Sequence, residues 1–184
     1  MLFVGALRLV KGLKPLLAAY EQLEAPPPLV LIGTVEADTP REFPPGVVVL
    51  EKFPHAAVMA AWDRCLFGVL PSLWPEPLGS VVYEGMSRGK AVIGTTPGGH
   101  TDMIVDGESG YLVPAGDVPA LAEAMRRLIA QPELRERFGR AGRKRSRLFT
   151  AAEAVPHFEQ VYRRLATDAA GPFHENQSLP LGQD

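Results

Sequence analysis

Short apolar runs at 2–5, 29–32, 47–50, 66–70, 91–94 and 111–113 alternate with stretches of helical spacing. That alternation most narrows the folds open to this chain. Runs this brief suit strands buried on both faces, and parallel strands need a crossover between them, usually a helix. The segment 12–23 has Leu13, Leu16, Leu17, Tyr20 and Leu23 on one helical face, and Pro26–Pro28 stop it. Segment 55–64 puts Val58, Met59 and Trp62 on one side, and 79–87 reads as another helix. The prediction is an α/β fold with a doubly wound, Rossmann-like parallel sheet. Such sheets bind ligands beyond the carboxyl ends of their strands. The loops to inspect are therefore 5–12, 33–38, 51–55, 71–79 and 94–102.

After 116 the pattern becomes purely helical. Asp117 is placed to cap a helix running to about 130, and Pro132 interrupts it. A second helix is expected over 133–149. Thr150 with Glu153 forms a capping-box pattern for a third, running to about 165. The 184 residues fit one domain, 1–167, in which 150–167 is a terminal helix. The stretch 168–184, rich in Gly, Pro, Gln and Asn, is expected to be a flexible tail.

Composition excludes several classes. Apolar residues make up 46% of the chain, too many for a disordered protein. A net charge of −2 argues against a general nucleic-acid binder. The basic run from Arg135 to Arg147 reads as a solvated helix face with Leu134, Phe138 and Ala141 turned inward. The single cysteine, Cys65, reads as an apolar filler and predicts a reducing compartment, the cytoplasm. No run reaches the roughly 18–20 apolar residues that span a bilayer. His55, His100, His157 and His174 are scattered, so no metal-ligand spacing is present. Neither a nucleophile-elbow G-x-S-x-G, a dinucleotide G-x-G-x-x-G nor a P-loop occurs. A chain opening directly on a core strand reads as a piece of a longer protein.

Three segments carry candidate chemistry. In Pro71-Ser-Leu-Trp-Pro-Glu76-Pro-Leu78-Gly79-Ser80-Val-Val-Tyr-Glu84, a strand ends, a loop carries Glu76, and a helix starts near Gly79. The amide end of that helix is a ready anion site. Glu76 could reach sugar hydroxyls and Glu84 a ribose diol, although spacing alone favours two ordinary solvated acids. In Phe3-Val-Gly5-Ala-Leu-Arg8-Leu-Val-Lys11-Gly12, Lys11 follows the first strand and precedes a helix. A cation there gains nothing from the helix dipole, which favours a ligand partner over a merely solvated lysine. In the third, Gly98-Gly99-His100-Thr-Asp102 follows a strand, and its glycine amides could meet a sugar or simply shape a turn.

In this order, the segments resemble the C-terminal domain of GT-B glycosyltransferases of retaining family 4 over roughly 2–165. Phe3-Val-Gly5…Lys11-Gly12 looks like that family's F-V-G-R-L…K-G. Glu76 to Glu84 resembles its E-x7-E motif. Lys90-Ala-Val-Ile-Gly-Thr, Gly98-Gly99…Asp102 and Asp106-Gly…Gly110-Tyr-Leu-Val…Gly116-Asp117 resemble the motifs that follow.

The resemblance implies transfer of a sugar from a nucleotide-diphosphate sugar, with retention and without a metal or other cofactor. It implies Glu76 and Lys11 as catalytic residues. It implies a donor site at Gly5, Lys11, Lys52, Phe53, Glu76, Leu78, Gly79, Ser80 and Glu84. Within it, Lys11 meets the diphosphate, the Gly79 and Ser80 backbone the distal phosphate, Glu84 the ribose, and Lys52-Phe53 the base. It also implies a separate N-terminal acceptor domain, against which the 150–167 helix would pack. This chain alone is then expected to bind donor without turnover. Self-association through the uncovered interdomain face, and a parent lying peripherally on a membrane, are compatible with it.

Two positions depart from the family pattern. Ala6 stands where an arginine is usual, with Arg8 out of register, and Asp102 stands where a glutamate is usual. The alternatives are a GT-B nucleotide-sugar 2-epimerase domain and a non-catalytic module that binds a sugar nucleotide or a protein.

Overall fold

A computed structural model describes residues 1–169. Two compact units divide at Arg147 and Leu148.

The first unit is built on six parallel strands: β1 (Leu2–Val4), β2 (Leu29–Ile32), β3 (Val47–Leu50), β4 (Phe67–Val69), β5 (Ala91–Thr96) and β6 (Tyr111–Pro114). Their order across the sheet is β3-β2-β1-β4-β5-β6. Leu2, Phe3 and Val4 pair with Val30, Leu31 and Ile32 on one side, and Leu2 with Gly68 on the other. The chain therefore winds outward from β1 to β3, returns to the centre at β4, and winds outward again to β6. Loops leaving β1 and β4 part in opposite directions, which opens a crevice at their carboxyl ends.

The helices of this unit are α1 (Leu13–Glu21), α2 (His55–Arg64), α3 (Ser80–Ser87), α4 (His100–Met103), α5 (Val118–Ala130) and α6 (Pro132–Ser146). Strand alternation sends Phe3, Leu29, Leu31, Phe67, Val69 and Ile93 into one core. Leu16 and Tyr20 of α1 and Leu121, Met125 and Leu128 of α5 close that core. Trp62 of α2, with no exposed surface, packs against Gly68 and Gly85. A Cβ at those two positions would stand 2.4 and 2.8 Å from its ring, so both must stay small for α2 and α3 to seat.

Asp117 caps α5 as expected: its Oδ1 accepts the Ala120 amide at 2.9 Å. On α6, Leu134 and Phe138 are buried, and Phe138 meets Tyr111 edge to face at 5.0 Å. The basic run is more than a solvated face. Arg135 donates to the carbonyls of Leu128 and Ile129 at the end of α5. Arg145 does the same for Asp102 and Met103 at the end of α4. Two cations thus satisfy carbonyls that helix ends leave open.

Several boundaries in this unit differ from the sequence expectation. β5 continues through Thr95 and Thr96 because the Thr95 hydroxyl donates to the Ser72 carbonyl at 2.8 Å, which lets a polar residue stay buried. Residues 100–103 form α4 where a flexible glycine loop was expected. α6 ends at Ser146, and 147–149 form a 3-10 turn.

The second unit contains α7 (Ala151–Ala169). The Thr150 carbonyl accepts the Glu153 and Ala154 amides. Val155, Phe158, Tyr162 and Leu165 are exposed at helical spacing. The helix runs past 167 to Ala169, and the rest of the expected tail, 170–184, lies outside the described residues.

Candidate functional site

A cavity of about 100 Å³ lies in the β1/β4 crevice. Gly5 and Lys11 line it from the loop after β1, and Ser72, Glu76 and Leu78 from the loop after β4. Gly79, Ser80 and Val81 at the start of α3, and His100 at the start of α4, complete it. It has room for a phosphate-sized group rather than for a whole nucleotide sugar, so most of such a ligand would lie outside it. A larger cleft of about 510 Å³ lies beside Met1, Leu2, Pro28 and Leu66, at the amino ends of β1, β2 and β4. No acid lines that cleft, so it lacks the cavity's chemistry.

The two loops meet because one residue lacks a side chain. Gly12 adopts φ +79°, and a Cβ there would stand 1.7 Å from the Pro71 carbonyl oxygen. Leu73 donates its amide to Val10 O at 2.9 Å across the same junction. This close crossing brings Lys11 to Glu76. Lys11 Nζ donates to Glu76 Oε1 at 2.5 Å, and Ser72 Oγ donates to the same oxygen at 2.9 Å. Both charged side chains are partly shielded from water.

α3 has no side-chain cap and no acid in its first turn, so its positive end is left uncompensated. The Ser80 amide is already engaged with Leu78 O at 3.0 Å. Gly98 and Gly99 press on the Glu76 loop: a Cβ at Gly99 would stand 2.5 Å from the Pro77 oxygen. The Gly99 amide donates to Glu76 O at 2.5 Å, so it is spent on holding that loop.

Glu84, Lys52 and Phe53 do not line the cavity. Glu84 instead accepts from Trp62 Nε1 at 3.3 Å and pairs with His55 Nε2 at 3.1 Å, bridging α3 to the start of α2. Lys52 and Phe53 are exposed on the loop that leads into α2, and Lys52 has φ +57°. Arg8 pairs with Asp38 at 3.4 Å on the surface. Burial pushes the Cys65 thiol up to about 11, which keeps it protonated and inert.

Sequence reasoning missed His100 as a cavity residue. Its ring is buried, and burial holds its pKa below the ordinary value, with the Glu76 carboxylate opposing the shift and Lys11 adding to it. Its position directly after two glycines at a strand end was the available signal. Among the described residues, no three His, Cys, Asp or Glu side chains cluster as a metal site, and no helix is long and apolar enough to cross a membrane.

The doubly wound sheet, with its crevice between oppositely departing loops, defines a Rossmann-like domain of the GT-B type. Residues 1–145 match the family model for glycosyl transferases group 1, and the chain belongs to that family. It is 34% identical over 146 residues to the phosphatidyl-myo-inositol mannosyltransferase of Mycobacterium leprae, covering 77% of this chain and 39% of that protein. Sucrose-phosphate synthase from Thermosynechococcus elongatus superposes with a TM-score of 0.78 at 27% identity, covering 90% of this chain and 46% of that one. Anabaena HepE in complex with UDP-glucose superposes with a TM-score of 0.72 at 20% identity, covering 90% and 48%. The chain thus spans less than half the length of each of these proteins.

Proposed function

We propose that this chain is the donor-binding half of a retaining sugar transferase. It binds a nucleotide-diphosphate sugar without a metal, and a second domain supplies the acceptor. The carrying observation is that one cavity joins Lys11, Glu76 and the uncapped amide end of α3.

Transfer breaks the bond between the anomeric carbon and the diphosphate oxygen, and the electron pair leaves with the diphosphate. The acceptor oxygen bonds the same face of that carbon and passes its proton to the departing diphosphate oxygen. Charge builds on the departing diphosphate, where Lys11 and the α3 dipole are preorganised to stabilise it. Glu76 lines the same cavity beside them, next to where the sugar would sit. Glu84 lies between the phosphate cavity and the 51–55 loop, a position suited to a ribose, with the base against Lys52 and Phe53. The HepE complex with UDP-glucose supports this choice of ligand class.

The exposed apolar side of α7 is the surface offered to the acceptor domain. Binding then belongs to this chain, and turnover requires both halves, working in the cytoplasm.

The test is transfer by the whole protein carrying Lys11→Met or Glu76→Gln. Both variants lose turnover under this reading. Unchanged turnover contradicts it and favours a non-catalytic module, and turnover by the 184-residue chain alone contradicts the division of labour.

A further inference from the structure

His100 stands in a slot that the sequence clears for it. A Cβ on Gly79 would lie 2.8 Å from its Cδ2, and a Cβ on Gly94 would lie 3.1 Å from its Nδ1. The ring is therefore held between the end of β5 and the start of α3. Its Nδ1 accepts the Thr95 backbone amide at 3.1 Å. A backbone N–H can only donate, so in the neutral ring Nδ1 carries no proton and Nε2 does. Nε2 is the ring atom next to Cδ2, on the side of Gly79, and among the described residues the ring's hydrogen bond is the one at Nδ1. The side chain lines the cavity while being 4% exposed.

We propose that His100 donates from Nε2 to the distal phosphate of the donor, making it a binding residue beside Lys11 and the α3 amides. The inference rests on the donor-binding reading above. Burial lowers the ring's pKa, which favours a directed hydrogen bond over a charge. Glu76 and Lys11 are the charged groups that act on it. The same Thr95 contact fixes which nitrogen faces the ligand.

His100→Asn tests this. The Asn side chain can still accept from Thr95 where Nδ1 did but cannot reach the cavity as Nε2 does. The probes are uridine, guanosine and adenosine diphosphates, each with its monophosphate, titrated calorimetrically into the 184-residue chain. The expected result is about a tenfold loss of affinity for the preferred diphosphate, with monophosphate affinity and melting temperature unchanged. Equal losses for diphosphate and monophosphate would overturn the assignment, because they indicate a structural role. Intact diphosphate affinity with weakened binding of the nucleotide sugar alone would also overturn it, placing the contact on the sugar. If the wild-type chain binds no diphosphate, both this inference and the donor-binding reading fail. Wild-type binding that His100→Asn leaves untouched removes only this inference.

Discussion

Lys11 and Glu76, sixty-five residues apart in the chain, form an ion pair at 2.5 Å in the β1/β4 crevice. The side chains proposed to meet the diphosphate and the sugar therefore neutralise each other before any ligand arrives. A phosphate entering the cavity competes with Glu76 for the lysine.

Separate effects on binding and transfer follow from that competition. Glu76→Gln keeps an acceptor for Ser72 and removes the competing charge. It should tighten nucleoside-diphosphate binding by about 0.5–1 kcal/mol, the scale of a partly exposed ion pair. Lys11→Met should weaken it by about 1.5–3 kcal/mol, the scale of a charge-assisted hydrogen bond. Calorimetric titration of both variants reads these shifts, and a loss of affinity in Glu76→Gln would mean that the acid itself holds the diphosphate.

The cation usual after the first glycine is replaced by Ala6, and Arg8 is committed to Asp38 on the surface. Ala6→Arg should therefore raise diphosphate affinity by roughly 1 kcal/mol and steepen its salt dependence. Arg8→Ala should leave both unchanged. An affinity that falls in Arg8→Ala would show that this side chain swings into the site.

Gly12 lets the loops after β1 and β4 cross. A methyl group there meets the Pro71 carbonyl oxygen and sits at a left-handed φ. Gly12→Ala should cost more than about 2 kcal/mol in chemical denaturation and weaken diphosphate binding with it. A variant as stable as wild type would show that the loops can part without harm.

His100 links stability to pH. Its folded-state pKa lies below the ordinary 6.5, so below that value the unfolded chain binds more protons than the folded one. The stabilisation is complete above pH 6.5 and is lost as pH falls toward the folded pKa. Denaturation midpoints should fall more between pH 7.5 and 5.5 for wild type than for His100→Asn. Parallel profiles would contradict the burial argument.

Much of this molecule is legible in its sequence. Brief apolar runs such as 2–5 and 29–32 cannot satisfy a helix and must pair, and the helical spacing of 12–23 between them makes their pairing parallel. Asp117 announces its own helix, and the loops carrying Lys11 and Glu76 fall beyond strand ends by the fold's logic. What escaped reading depends on contacts between distant residues. α4 is one turn long and starts with His100, a residue with no strong helix signal. Gly98 and Gly99 read as freedom to meet a sugar, yet their smallness serves the approach to the Glu76 loop. Glu84 pairs with Trp62 and His55 across a helix interface that no local spacing encodes. The capping work of Arg135 and Arg145 is hidden for the same reason, since both resemble their solvated neighbours on α6.

The most direct test of the central claim is a thermal-shift titration of the 184-residue chain with UDP, GDP, ADP and their common sugars, with and without EDTA. A ligand bound only by the folded state raises the melting temperature. The account predicts a shift selective for one nucleotide, unchanged by EDTA and reduced by Lys11→Met. A shift abolished by EDTA, or one that Lys11→Met leaves intact, would contradict it.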